Sequence, residues 1–308
     1  MAALVPMVKE TLRQWIGDKA PRLAAALSYY TVFALAPLLI LVIALAGAVF
    51  GADAVRAAVM AQATDLVGPA AAGTIDEALA NAQHAKGGWL ATGIAAIGFA
   101  LGATGVFGAL QSALNSIWGI DVRRGGWRHV VKTRVLSFSL VVMVGFLLLV
   151  SLVVSAGWAA ASAHLRGMLQ GRWMLALGGA VDVAVTVGLF TAMLAAVYKV
   201  LPDAKVAWRD TWVGSLVTAV LLTLGKYAIG LYLGQSRVGT TFGAAGSLAA
   251  ILVWLYYTGL ILFLGAEYTQ VHAEMNGRPL QPKAHAFAVQ TVDREDVRKA
   301  PKPRGKAT

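Results

Sequence analysis

The sequence predicts an all-α polytopic membrane protein: a bundle of six transmembrane helices with both termini in the cytoplasm and short surface helices in the first outer loop. Three observations predict it. Of 308 residues, 58% are hydrophobic and only 13% are charged, about half the charged share of an ordinary soluble domain. The apolar residues gather into six runs, each long enough to cross a hydrocarbon core of about 30 Å at 1.5 Å per residue. Lys and Arg alternate between rich and poor connections, as positive-inside topology requires.

In chain order, residues 1–22 form a charged cytoplasmic segment. The first span follows at 23–51. It is too long for a signal-peptide core and is read as a retained helix. The second and third spans fall at 87–120 and 135–163, and none of the three carries Asp, Glu, Lys or Arg. The fourth, 173–198, contains one acid, Asp182. The fifth, 211–233, contains one base, Lys226, and the sixth, 244–266, ends just before Glu267. Together these make a membrane domain over 23–275.

Orientation comes from counting bases. Twenty of the 26 Lys and Arg residues lie in the N-terminal segment, the connections 121–134 and 199–210, and the stretch after 266. Five lie in the three alternate connections, and Lys226 is the remaining one. The basic balance of +11 is thus largely explained by topology, and no nucleic-acid partner is needed to explain it. The outer connection 52–86 repeats Val55, Val59, Ala63 and Leu66 at helical spacing. Thr74 with Glu77 reads as a capping box that opens a second short helix. Residues 276–308 hold four prolines and few large apolar side chains, which predicts a disordered cytoplasmic tail.

Three stretches resemble one family. Arg22-Leu-Ala-Ala-Ala-Leu-Ser-Tyr-Tyr-Thr-Val-Phe-Ala-Leu-Ala-Pro37 is similar to the opening helix of the YihY/virulence factor BrkB inner-membrane proteins. Gly105 to Gly119 is similar to their second helix. Leu201-Pro-Asp-Ala-Lys-Val-Ala-Trp-Arg-Asp210, continuing through Gly214, Lys226, Tyr232, Gly243 to Gly246, Trp254 to Tyr256 and Leu264 to Glu267, completes the match over roughly residues 20–275. The resemblance implies the same six-helix plan in an inner (plasma) membrane. Members have carried an old ribonuclease label of the BN type, a link to serum resistance in pathogens and suggestions of transport, with no catalytic motif to carry across.

The residues themselves argue against hydrolysis. His84, His129, His164, His272 and His285 are scattered without metal-ligand spacing, and no phosphate-cradling glycine loop is present. The expectation is therefore no enzyme, no cofactor and no metal. Three sets of polar residues remain. Asp182 and Lys226 lie at matching depths in the outer half of consecutive spans, as a candidate intramembrane charge pair. Either they serve a substrate or proton, or they fix helix register while Lys226 snorkels. Ser28, Tyr29, Tyr30, Gln111, Asn115, Glu267 and Gln270 form a candidate cluster near the cytoplasmic side. It reads either as interhelical hydrogen bonding, with Asn115 meeting Ser28 or Tyr29, or as one end of a substrate cavity. Arg123, Arg124, Arg128, Lys132 and Arg134 are candidate contacts for anionic headgroups, although topology alone demands bases there.

The functional expectation is an integral inner-membrane protein that binds or transports a lipid or other amphiphilic or anionic solute without its own ATPase. Its partners would be membrane lipids and a lipid or small-molecule substrate. The alternative is a structural or envelope-assembly factor with no transport activity.

Overall fold

The computed structural model describes residues 4–67, 72–73, 75–77, 80, 105–122, 172–235 and 244–288. Helices α1 (Leu4–Gly17), α2 (Ala20–Phe50) and α3 (Ala52–Val67) come first. A helical stretch over 105–117, here α4, leads into strand β1 (Ile120–Val122). Then come α5 (Arg172–Val200), β2 (Ala204–Lys205), α6 (Trp208–Gln235), α7 (Ala244–Met275), β3 (Gln281–Pro282) and β4 (Ala286–Ala288).

Helices α2, α5, α6 and α7 cover the first, fourth, fifth and sixth expected spans. At 31, 29, 28 and 32 residues each exceeds the roughly 20 residues needed to cross a bilayer. Two described stretches are both long and apolar enough to qualify by composition, Val183–Val200 and Leu248–Met275. The third expected span and most of the second lie outside the described residues. In the connection after the first span α3 forms, and residues 75–77 are helical where the second short helix is expected. Val55 and Ile75 pack with Ile251, and Arg56 bridges Asp76 at 2.6 Å.

The bundle is built by close approach of backbones, as suits lipid, where no hydrophobic gain drives helix association. Helices α6 and α7 run antiparallel with two reciprocal pairs between them. A Cβ added to Gly214 falls 1.8 Å from Thr269 Oγ1, and one added to Gly265 falls 1.7 Å from Thr218 Oγ1. Each threonine also bonds its own helix, Thr218 to Gly214 O at 2.7 Å and Thr269 to Gly265 O at 2.8 Å. On the other side of α7, Gly259 lets Ala24 of α2 come close. Facing outward along α6, Trp208, Trp212, Leu216, Val220 and Leu224 recur every fourth residue, all exposed. That continuous apolar stripe would be costly in water and suits acyl chains, with the tryptophans at the interfacial end.

The main apolar core sits at the end of the bundle where α2 begins and α7 ends. Leu114, Ile117, Trp118, Tyr198, Leu201, Phe263 and Ala266 are buried there together. Indole and phenol groups donate to backbone carbonyls inside α7, as second donors: Trp118 Nε1 to Ala266 O at 3.0 Å and Tyr198 OH to Leu262 O at 2.6 Å.

Within the N-terminal segment α1 forms, and Trp15 Nε1 donates to Leu260 O. One expectation at this end needs correction. The tail expected to be disordered from Asn276 is ordered as far as Ala288. There β3 pairs antiparallel with β2, and β4 with β1. Composition predicted disorder because the segment has few apolar residues to bury. Its order comes instead from strand pairing and from two buried carboxylates that bind it. Residues 289–308 lie outside the described residues.

Candidate functional site

The connection between α5 and α6 brings two acids to the end of the bundle. Asp203 follows Pro202 just beyond α5, and its carboxylate meets α4. Gln111 Nε2 and Asn115 Nδ2 donate to Asp203 Oδ2 at 3.0 and 2.9 Å. Asn115 Oδ1 accepts from the Asp203 backbone N–H at 2.8 Å. The other carboxylate oxygen lies 2.7 Å from His285 Nε2 in the returning tail. Lys283 adds a backbone bond to Asp203 O at 2.8 Å, and its ammonium donates to Pro202 O at 2.6 Å. Burial by itself would raise the Asp203 pKa. The His285 and Asn115 hydrogen bonds and the charges of His285 and Lys283 outweigh it and hold the carboxyl below its ordinary value.

Asp210, in the first turn of α6, is fully buried. Arg278 grips it in the two-pronged manner of guanidinium on carboxylate, Nε to Oδ2 at 2.9 Å and Nη2 to Oδ1 at 2.6 Å. His272 Nδ1 lies 3.0 Å from Oδ1. The Arg278 hydrogen bonds are the main reason its pKa falls below the ordinary value, against the opposing effect of burial. The acid also stands at a helix N-terminus, where a negative charge is favoured.

Glu267 on α7 is the opposite case. It is fully buried, and neither carboxyl oxygen has a donor among the described residues. What faces it is the carboxyl of Asp18, at the turn between α1 and α2. Two carboxyls in contact without a donor share a hydrogen bond only when one of them carries a proton. Burial raises the Asp18 pKa, while its bond to Glu267 pulls the other way. Two amide oxygens on the same pair of helices, Gln14 Oε1 of α1 and Gln270 Oε1 of α7, are also buried without donors.

The predicted cluster therefore splits. Gln111 and Asn115 act together, but on Asp203 rather than on Ser28 or Tyr29. Ser28 is buried and donates to Ala25 O of its own helix at 2.8 Å. Tyr29 and Tyr30 are exposed and do not join the cluster. Gln270 donates to Glu274 at 2.9 Å. Asp18, Asp203, Asp210, Arg278 and Lys283 were not among the predicted residues. A usable signal was present for two of them, since Asp203 and Asp210 are acids in an otherwise basic connection. The side chains of Asp182 and Lys226 lie outside the described residues, as do Arg123, Arg124, Arg128, Lys132 and Arg134. Among the described residues no three His, Asp or Glu side chains gather as a metal site.

Comparison with known proteins finds relatives described as membrane proteins. The sequence model of the family described as virulence factor BrkB matches residues 11–288. A UPF0761 membrane protein of Stenotrophomonas maltophilia is 30% identical over 283 residues, covering 89% of this chain and 63% of its own. Similar proteins of the same description occur in Ralstonia nicotianae, at 29% identity over 83% of this chain and 56% of its own, and in Alkalilimnicola ehrlichii, at 31% over 81% and 54%. The chain thus spans roughly three-fifths of the length of these curated relatives. No solved structure matches it.

Proposed function

The chain belongs to the virulence factor BrkB family of membrane proteins, and from that premise we propose that it binds or moves a lipid or other amphiphilic solute through a six-span bundle in the inner membrane. Both termini are cytoplasmic in this reading, and no ATPase is part of the chain. The carrying observation is the contrast among its buried acids. Asp203 and Asp210 are saturated with donors, as a structural acid should be. Glu267 is buried as deeply, yet among the described residues no donor meets its carboxyl oxygens, and the ionisable groups around it are the carboxyls of Asp18 and Glu274. An unpaired buried carboxyl costs several kcal/mol and is a poor way to hold helices together. It suits a step in which a proton or a donor-bearing ligand arrives and leaves. The polar end of such a solute should carry hydrogen-bond donors or positive charge, since two carboxyls disfavour an anion at this point.

Reconstitution tests this reading. Liposomes containing the protein should show protein-dependent transbilayer movement of labelled phosphatidylethanolamine or of another amphiphile in a panel. Glu267→Gln should abolish that movement or its pH dependence while melting at or above the wild-type temperature. Flux equal to that of empty liposomes across the panel, or full activity in Glu267→Gln, would overturn it. The second reading, an assembly factor without flux, is favoured by the Asp203 and Asp210 networks, which account for their residues entirely through structure.

A further inference from the structure

Helix α1 has three distinct faces. Met7, Thr11, Gln14 and Trp15 turn toward the protein, with Thr11 fully covered and the Trp15 indole bonded to α7. Lys9 and Arg13 lie on an exposed polar face, where Arg13 bridges Glu10 at 2.5 Å. Between these faces runs an apolar stripe left exposed. Val5, Val8, Leu12 and Ile16 are 73%, 43%, 45% and 67% exposed, and their spacing of three, four and four residues puts them on one side of the helix.

A helix that only packed on its own protein would have two faces, one covered and one polar. The third face needs an apolar occupant. We propose that α1 is an interfacial helix whose Val5–Val8–Leu12–Ile16 stripe is buried in the lipid leaflet at the α2-entry end of the bundle, with Lys9 and Arg13 at headgroup level.

The position of α1 supports lipid over a protein partner. Its chain turns at Lys19, in a left-handed conformation with φ 57°, directly into α2. Within about four turns α2 presents Tyr29, Tyr30 and Phe33, all exposed, so apolar surface continues from the helix onto the spanning bundle. Trp208 and Trp212, exposed at the start of α6, mark the interfacial level at the same end, since α6 begins where α5 ends beside the α2-entry core. An amphipathic helix with bases beside its apolar face is the form that lies in the headgroup and acyl boundary, where long basic side chains reach outward. This placement does not depend on whether the bundle moves a solute.

The chain contains no cysteine, so single-cysteine labelling needs no background changes. The 308-residue chain with Leu12→Cys, Ile16→Cys or Arg13→Cys, each carrying an environment-sensitive fluorophore, would be placed in phosphatidylcholine–phosphatidylglycerol nanodiscs. Quenching would be measured with lipids spin-labelled high on the acyl chain and with aqueous iodide. The expected result is several-fold stronger lipid quenching at 12 and 16 than at 13, with iodide showing the reverse order. Two results would overturn the proposal. Iodide quenching at 12 and 16 equal to that at 13 would put the stripe in water. Protection of 12 and 16 from both quenchers would put it against protein, such as a second copy. The two stripe positions guard against one variant failing to fold, and neither touches Glu267.

Discussion

Replacing Gly265 by Ala isolates the packing that holds α6 to α7. In a helix free of neighbours the change should stabilise, because Gly is about 1 kcal/mol worse than Ala in a helix interior. Here the added methyl lands 1.7 Å from Thr218 Oγ1, 2.8 Å from Thr218 Cβ and 2.8 Å from Tyr198 OH. An ordinary contact needs well over 3 Å, so the helices must move apart by more than an ångström or Thr218 must change rotamer. Either movement disturbs the bonds from Thr218 to Gly214 O and from Tyr198 to Leu262 O. Overpacking of this kind costs roughly 1 to 3 kcal/mol, and contact with three atoms in a bonded pair belongs at the upper end. After allowing for the propensity gain, a net loss of about 2 kcal/mol is expected, or roughly 4 to 8 °C in melting temperature for a chain of this size.

The assay is a melting curve in detergent or nanodiscs for wild type, Gly265→Ala, the double variant with Thr218→Ala, and Gly108→Ala as control. Among the described residues nothing lies within 4 Å of a methyl added to Gly108, so its alanine should be neutral or stabilising. Thr218→Ala should rescue Gly265→Ala only in part, since it removes Oγ1 but leaves Cβ. A Gly265→Ala protein as stable as Gly108→Ala would refute the packing argument.

Three further outcomes are expected. Asn115→Ala removes two hydrogen bonds to Asp203 and leaves a buried N–H unpaired. It should cost about 2 to 4 kcal/mol, and Asp203→Ala on top should add less than its own separate loss, as a double-mutant cycle would read. Asp203 and Asp210 have pKa values held below the ordinary carboxylate value in the folded protein. Their stabilisation is therefore present above the unfolded value and is lost as pH falls through the folded ones. Melting temperature should drop on acidification below about pH 4, less steeply in Asp210→Asn; an identical pH profile for that variant would count against the Arg278 clamp. Reporter fusions should place Gly68 and Gln170 outside and Lys205 inside. A cytoplasmic signal at Gly68 would overturn the orientation.

The long helices α2, α5 and α6 were legible in the sequence because a helix in lipid must be apolar along its whole length whatever it packs against. The runs ending near Phe50, Val200 and Gln235 could be read within a few residues without any tertiary knowledge. The shared helix face of Gln111 and Asn115 was legible too, since i, i+4 spacing is a local property. Their partner was not. Asp203 lies 88 residues beyond Asn115, and polar residues give no periodic signal for what they meet across the bundle. The same limit hid the ordered part of the tail. Few apolar residues argue for disorder only when hydrophobic burial is the sole source of order, whereas Arg278 and His285 are held by acids, and Lys283 by the Pro202 carbonyl, all more than sixty residues earlier. Glu267 shows the division most sharply: the sequence could mark it as an acid ending an apolar run, but only the meeting of α1 with α7 decided that it would face Asp18 rather than a base.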